Sequence, residues 1–231
     1  FDTRLTDCLD IDLPHFDPAV TIHHLLTHTS GIPDYFDEDV SDDYEALWAQ
    51  RPMYGIRTPA DFLPMFQHLP MKFAPGEKFH YNNAGYIVLG LIVEQASGMP
   101  FADYVQRHIF DVCGMSRSGY YATDQLPAGS AYGYIEDGSG GWRTNFFAVP
   151  IVGGPDGGVF VTAPDMGRYW SGLQEGRIVS REMVERMIAV QGQSKSDAYG
   201  YGLWLRLREG RVHVYHAEGA DPGAAFLSGV V

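Results

Sequence analysis

The loop Tyr81-Asn82-Asn83 places a phenol and, two residues later, an amide in front of a long apolar segment. A phenol can carry a proton and an amide can hydrogen-bond a substrate, and polar groups on a short loop against a rigid element often form active sites. Apolar residues recur around most of a helical circumference in segment 83–97, and Gly98 follows, which predicts a buried helix closed by glycine. By itself such a loop is more often an ordinary polar segment, so its meaning depends on the partners that the rest of the chain supplies.

Other candidate sites have weaker signals. His24 and His28 stand four residues apart, a spacing that can hold a metal on one helical face, but the glutamate of the helical zinc proteases is absent. We therefore predict no metal site and expect His28 to hold the turn at Ser30-Gly31 by hydrogen bonds. The absence of a Gly-x-Ser-x-Gly elbow argues against an α/β-hydrolase. The glycine-rich stretch 153–158 lacks the lysine of a phosphate-binding loop and is interpreted as a turn bordering a cleft.

Composition bounds the possible functions. A chain of 231 residues can bury a sizeable core, and its formal net charge of -13 argues against nucleic acid as a partner, because a phosphate backbone needs a basic face. The apolar run Ile87–Val93 is too short to span a membrane. Cys8 and Cys113 have no redox or metal spacing, which favours two free thiols but leaves one disulfide open. No feature of the sequence predicts a cofactor.

The order of elements predicts an α+β fold. After Gly200 the apolar period changes to two, which predicts a β-hairpin around 208–210 and a last strand over Ala224–Val231. We therefore expect one domain over 1–231, with a mainly helical region of about 20–199 packed against antiparallel strands of about 200–231. Helices are predicted to begin near capping or first-turn residues, namely Thr21 (ending at Ser30-Gly31), Thr58, Pro100 (ending near Ile109), Thr162 and Ser180.

Several sequence blocks occur in one order, with similarity over nearly the whole chain. This order resembles the serine β-lactamase and penicillin-binding-protein-like superfamily, specifically its class C β-lactamase, DD-peptidase and family VIII esterase branch. The resemblance implies a β-lactamase/transpeptidase-like fold and cleavage of an amide or ester through an acyl-enzyme, with a β-lactam, a D-alanyl peptide or a small ester as substrate. The blocks are Leu25-Leu26-Thr27-His28-Thr29-Ser30-Gly31, Tyr81-Asn82-Asn83, Gly153–Asp165, Gly200–Trp204 and Asp221-Pro222-Gly223.

The same resemblance implies roles for particular residues. Tyr81 would move the proton together with a motif lysine, and Asn83 would hydrogen-bond the substrate amide. A third motif, Lys-Thr-Gly or His-x-Gly on an edge strand, matches His216-Ala217-Glu218-Gly219, which is one residue longer. Either His216 keeps the substrate contact together with Gly219, or Ala217 occupies that place and the contact is lost. Glu218 would repel a substrate carboxylate, which favours a neutral ester or peptide.

The nucleophile motif of that superfamily, Ser-x-x-Lys, is absent. The three lysines, Lys72, Lys78 and Lys195, all lack a serine three positions earlier. The resemblance implies that this motif stands upstream of the block that begins at Leu25, so we expect a partial domain, truncated at both ends, with an incomplete sheet and no activity by itself. The alternative is a non-catalytic ligand-binding or regulatory member of the same fold. The sequence leaves cellular location and oligomeric state open.

Overall fold

The computed structural model describes residues 1–193 and 197–231, so Lys195 lies outside the described residues. The α-helices, in chain order, are α1 (Leu5–Cys8), α2 (Ile22–Leu26), α3 (Ala46–Gln50), α4 (Asn83–Ser97), α5 (Phe101–Val105), α6 (Asp111–Cys113), α7 (Ala163–Gln174) and α8 (Arg181–Met187). Short 3₁₀ segments cover Met53–Gly55 and Pro59–Met65, and a π-helical turn covers Gln106–Phe110. The strands are β1 (Tyr134–Glu136), β2 (Trp142–Thr144), β3 (Gly192–Gln193), β4 (Ala198–Tyr199), β5 (Trp204–Arg208), β6 (Arg211–Asp221) and β7 (Ala224–Val230).

Helix α4 forms the centre of the larger hydrophobic core. Its first turn is capped by Asn82, whose side-chain oxygen accepts the Gly85 N–H at 2.7 Å. Gly98 ends it in the left-handed conformation, with φ of 68°. The adjacent residues Ile87 and Val88 are both fully buried, so more than one face of the helix packs against the core. The predicted helix over 83–97, with its glycine end, is therefore confirmed.

Helices α7 and α8 begin after their predicted caps, Thr162 and Ser180, whereas the other predicted helices differ in extent or type. Helix α2 starts after its predicted cap, Thr21, but ends at Leu26 instead of continuing to Ser30-Gly31. The segment after Thr58 is a 3₁₀ helix, and Pro64 within it lacks the N–H that an α-helix needs. The helix expected to end near Ile109 continues through the π turn to Cys113.

The main sheet is antiparallel, with the strand order β3-β4-β5-β6-β7. Glu209 (φ 53°) and Gly210 (φ 76°) turn the β5–β6 hairpin, as its two-residue loop requires. One face of the sheet packs against α7 and α8 around Leu173, Val184 and Leu205. The predicted hairpin and last strand are present, whereas β3 and β4 already join the sheet before residue 200.

A second, small sheet is hydrogen-bonded to the turn between β6 and β7. Strands β1 and β2 pair with each other, the Tyr134 N–H donates to the Gly223 carbonyl at 3.3 Å, and the Asn145 amide donates to the Pro222 carbonyl at 2.9 Å. Cys8 and Cys113 are both free thiols. Among the residues that the structure describes, no helix is both long and apolar enough to cross a membrane.

Candidate active site

The loop before α4 is fixed by the buried side chain of Asn82. Besides capping the helix, Asn82 donates its amide N–H to the Ile32 carbonyl at 2.9 Å. Its own backbone N–H donates to Nδ1 of the buried His28 at 3.1 Å. The side chain of Asn82 thus joins the start of α4 to the segment that follows α2, and its backbone N–H joins the same loop to His28. Both bonds fix the chain next to Tyr81. The position of Tyr81 is therefore set by long-range hydrogen bonds.

The carboxylate of Asp34 binds the free amides at the start of α4. It accepts the Asn83 N–H at 2.7 Å, the Ala84 N–H at 3.1 Å and the Phe36 N–H at 3.3 Å. Amides in the first turn have no partner within their own helix, so a carboxylate there satisfies them and interacts favourably with the helix dipole. Burial nevertheless raises the pKa of Asp34 to about 6, and the amides only partly oppose this rise. Asp34 follows the Gly31-Ile32-Pro33 turn directly, but no sequence pattern indicated this role.

Tyr81 contacts two aromatic rings. The His28 ring centroid is 4.4 Å from that of Tyr81, in a tilted arrangement, and the Trp204 indole is stacked with Tyr81 at 6.2 Å and an interplanar angle of 15°. Burial, with a contribution from the nearby Glu38 carboxylate, raises the pKa of Tyr81 above its usual range. At neutral pH the phenol is therefore protonated, and it can act as a base only after it loses this proton, which a nearby positive charge would favour.

Asn83 follows Tyr81 by two residues, and its side chain hydrogen-bonds the acidic segment that precedes α3. Its amide N–H donates to the Phe36 carbonyl at 3.4 Å. It also hydrogen-bonds the Glu38 carboxylate, whose pKa is raised by burial and lowered by this bond. The amide of Asn83 therefore donates to groups of the protein itself, and its contact with a substrate stays a prediction. A ligand would have to displace these weak contacts.

His216 reaches the same region from the sheet. It pairs across the strands with Trp204 on β5 and Gly229 on β7, so it shares a sheet face with the indole that stacks on Tyr81. A Cβ at Gly229 would lie 2.6 Å from the Cβ of His216, so only glycine leaves room for this ring. His216 is 4% exposed, its Nε2 is 3.4 Å from Glu218, and its Nδ1 has no partner among the described residues.

Successive side chains of β6 point to opposite faces of the sheet, so the remaining residues of the predicted third motif lie on different faces. Ala217 packs on the α7 side of the sheet, away from His216. Gly219 is one residue beyond Glu218, pairs with Phe226, and has no atom near the position of an added Cβ. His216 and Glu218 therefore face the Tyr81 side, whereas Gly219 alternates to the opposite side. The structure does not bring Gly219 together with the other predicted residues.

A second buried carboxyl group lies near the phenol of Tyr81. Tyr35 donates a short hydrogen bond to Asp156, which stands in the glycine-rich turn expected to border a cleft. Burial raises the pKa of Asp156 to about 7, while the bond from Tyr35 lowers it. The charge of Asp156 also contributes to the raised pKa of Tyr81. No sequence pattern predicted that these two residues pair, because 121 positions separate them.

The histidines with metal-like spacing in the sequence have other roles. His24 forms a capping box with Thr21, and the side chain of His28 bonds to Asn82 instead of holding the Ser30-Gly31 turn as expected. Among the described residues the one group with metal-like spacing is Asp37, Asp39 and His80. The Lys72 ammonium contacts two of these three residues and puts a positive charge where a cation would have to bind.

Comparisons with known proteins agree on one family. The Beta-lactamase family model matches residues 1–229. Penicillin-binding protein 4* of Bacillus subtilis is 29% identical over 231 residues, which cover 94% of this chain and 50% of that protein. Esterase EstB of Burkholderia gladioli is 34% identical over 116 residues, which cover 47% of this chain and 28% of that protein. A penicillin-binding protein from Bacillus halodurans has a crystal structure that superposes with a TM-score of 0.95, at 49% identity over 99% of this chain and 69% of that one.

These likenesses confirm the resemblance and the fold predicted from the sequence. The α+β architecture is that of the β-lactamase/transpeptidase-like proteins, with a helical region on an antiparallel sheet that is incomplete in this chain. The chain spans about half the length of the curated relatives that it matches, with 47% and 50% for two from Bacillus subtilis.

Proposed function

The chain belongs to the Beta-lactamase family, whose superfamily consists of serine hydrolases, and from that membership we propose that it forms part of a serine hydrolase domain acting on an amide or ester. The substrate is a small molecule or peptide: a β-lactam, a D-alanyl peptide or a small ester. The serine and lysine of the Ser-x-x-Lys motif, which these 231 residues lack, lie in the remainder of the protein. The complete protein is the enzyme, and this part alone is inactive.

The observation that carries the proposal is the position of Tyr81. Its phenol ring contacts His28 and Trp204, at the point where the start of α4 meets the sheet face that carries His216. A proton-transferring group must be held in one orientation to be effective, and two ring contacts with a fixed loop provide that. The raised pKa of Tyr81 agrees with a role that begins only when a cation, such as the motif lysine, is beside it.

In the proposed reaction the serine oxygen attacks the substrate carbonyl carbon and forms a C–O bond. With the lysine ammonium beside it, Tyr81 loses its own proton to solvent and is present as the phenolate. The phenolate takes the serine proton as the C–O bond forms and delivers it to the nitrogen or oxygen of the leaving group as the C–N or C–O bond breaks. Water then attacks the acyl-enzyme, and the same groups return a proton to the serine. Asn83 orients the substrate by hydrogen-bonding its amide or ester.

The strand β6 supplies the opposite side of the proposed site. His216 is buried on the Tyr81 side, so it is the contact residue of the third motif in preference to Ala217. Glu218 shares the face of His216 and disfavours a substrate with a carboxylate at that position.

The proposal is tested with the full-length protein, a chromogenic cephalosporin, short-chain nitrophenyl esters and a fluorophosphonate label. Tyr81→Phe keeps the ring and removes the hydroxyl, so we expect turnover to fall by about 100-fold or more with little change in thermal stability. Tyr120→Phe is the matched control, since Tyr120 packs against Phe101 in a separate cluster. Turnover of Tyr81→Phe equal to that of Tyr120→Phe would refute the role of the phenol.

A second candidate function is favoured by the missing nucleophile motif and by the engaged amide of Asn83. In this alternative the domain binds a ligand without turning it over. A full-length protein that neither hydrolyses these substrates nor takes up the label, but binds a penicillin reversibly, would support it. Activity of the 231-residue part alone would contradict both functions as stated, because the nucleophile would then lie within that part.

A further inference from the structure

His28 is enclosed by the residues of the candidate site although it belongs to the turn after α2. It is 2% exposed and has a positive φ of 54°, which is uncommon for a residue with a side chain. Its ring centroid lies 5.0 Å from that of Tyr86 and 4.9 Å from that of Tyr199, in addition to its contact with Tyr81. The early end of α2 allows this ring to enter between α4 and the sheet.

The hydrogen bonds of His28 have only one possible direction. The Asn82 backbone N–H can only donate, so Nδ1 of His28 must accept and carries no proton. Burial lowers the pKa of His28 to about 3, so the ring is neutral and its single proton is on Nε2. That Nε2–H donates to the Tyr199 hydroxyl at 3.2 Å.

The next bonds continue in the same direction. The hydroxyl of Tyr86 donates its single proton to the Leu26 carbonyl at 3.2 Å, so towards Tyr199 it can only accept. Tyr199 therefore donates to Tyr86 across 3.2 Å. The resulting chain runs from the Asn82 amide through His28, Tyr199 and Tyr86 to the last residue of α2. Every donor in it has an acceptor, and a ring of any other tautomer would leave two donors facing each other.

We propose that His28, as its Nε2–H tautomer, is the positioning residue of Tyr81: it fixes the neighbouring backbone through Asn82 and supports the phenol ring from one side. The proposal rests on the proposed function of Tyr81, which it deepens by stating what orients the phenol. It differs from a general packing role because it depends on an acceptor at one ring nitrogen. A variant that restores that acceptor alone should restore most of the function.

The first test needs no substrate. In the full-length protein labelled with ¹⁵N-histidine, we expect one histidine with a protonated Nε2, a bare Nδ1 and a slowly exchanging ring proton at neutral pH. Its assignment is checked by its loss in His28→Asn. A protonated Nδ1, or a doubly protonated ring, would overturn the proposal. Because no turnover is measured, this result stands even if the protein proves not to be a hydrolase.

The second test compares two substitutions in turnover. Asparagine at position 28 tolerates a positive φ and offers an oxygen near the place of Nδ1, whereas His28→Gln offers its polar group near Nε2 and leaves the Asn82 N–H without an acceptor. We expect His28→Gln to lower kcat by about 100-fold with little change in KM, since displacement of a catalytic group by about 1 Å has such an effect. His28→Asn should retain at least about one tenth of the original kcat. Equal kcat values for the two variants would overturn the proposal.

Controls separate positioning from loss of folding. His108→Asn changes an exposed histidine outside the site and should leave kcat unchanged. If His28→Gln does not fold, Tyr199→Phe gives the decision instead, because it removes the acceptor of the Nε2–H and leaves the bond to Asn82 in place. We then expect faster exchange of the His28 ring proton and a lower kcat at unchanged KM. An unchanged ring-proton exchange rate would contradict the chain of bonds.

Discussion

Replacing Asp34 by asparagine should change how the stability of the protein depends on pH. The carboxylate of Asp34 accepts two backbone amides at the start of α4 and that of Phe36, yet burial raises its pKa from 3.8 to about 6. The folded protein therefore holds this proton more tightly than the unfolded chain does. The stability that Asp34 contributes is complete below about pH 4 and is lost as the pH rises through about 6.

The size of the effect follows from the two pKa values. A rise from 3.8 to about 6 corresponds to about 3 kcal/mol between the protonation states. About 2 kcal/mol of this is lost between about pH 4.5 and about pH 7.5. The introduced asparagine cannot ionise, so the difference in free energy of unfolding between Asp34→Asn and the unmodified protein should move by about 2 kcal/mol in favour of the variant over that range. The prediction concerns this change with pH, so it is independent of any constant cost of replacing an oxygen by NH₂.

The assay is urea unfolding of the full-length protein and variants, followed by circular dichroism at the two pH values. Asp61→Asn is the matched control, since Asp61 also caps a helix. Burial raises the pKa of Asp61, but the Arg57 and Thr58 amides and the Thr58 hydroxyl outweigh burial and hold it below its ordinary value. The stability from Asp61 is therefore present at both pH values and lost only as the pH falls below its ordinary pKa of 3.8, so the difference for its variant should stay nearly constant between them. A difference for Asp34→Asn that is as constant with pH as that for Asp61→Asn would refute the reasoning.

Further predictions concern packing, charge and the second carboxyl group. Gly90→Ala puts a Cβ 2.0 Å from Pro155, so it should lower the melting temperature. Gly167→Ala is the control: no atom lies near its Cβ, so it should leave the melting temperature unchanged or raise it. Differential scanning fluorimetry compares the two variants. Glu218→Gln should lower KM for an anionic ester by about two- to fivefold and leave a neutral ester unaffected in steady-state kinetics, and equal effects on both esters would argue against a charge effect. Burial raises the pKa of Asp156, so Asp156→Asn should gain stability over the unmodified protein as the pH rises from 3.8 to about 7. Unfolding curves at both ends of this range measure the gain. A gain in stability on acidification would contradict the prediction.

Local sequence signals predicted much of the secondary structure correctly. Asn82 and Gly98 bound α4 because capping and the left-handed glycine end depend on residues within one or two turns. The hairpin between β5 and β6 follows from Glu209-Gly210 for the same reason. The end of α2 could not be predicted locally, since His28 leaves the helix to make contacts with residues far along the chain.

The candidate site also combines features that the local sequence predicts with features that it does not. The position of Tyr81 at the start of a buried helix was predictable, because the motif and the helix are adjacent in the sequence. The choice between His216 and Ala217 was not, because it depends on which sheet face meets Tyr81. Asp34 was also missed, since a carboxylate after a turn acquires its role only from helix amides 49 and 50 positions away.

By itself the sequence determined the family, the α+β class and the loop that bears Tyr81. These features are carried by short segments whose hydrogen bonds and periodicity are local. The tertiary structure alone decided which side chains surround that phenol: His28 and Trp204 against its ring and His216 on the strand that pairs with Trp204. The physical reason is that burial, strand register and long-range hydrogen bonds bring together residues from distant parts of the chain, and these contacts set the tautomer of His28 and the raised pKa of Tyr81.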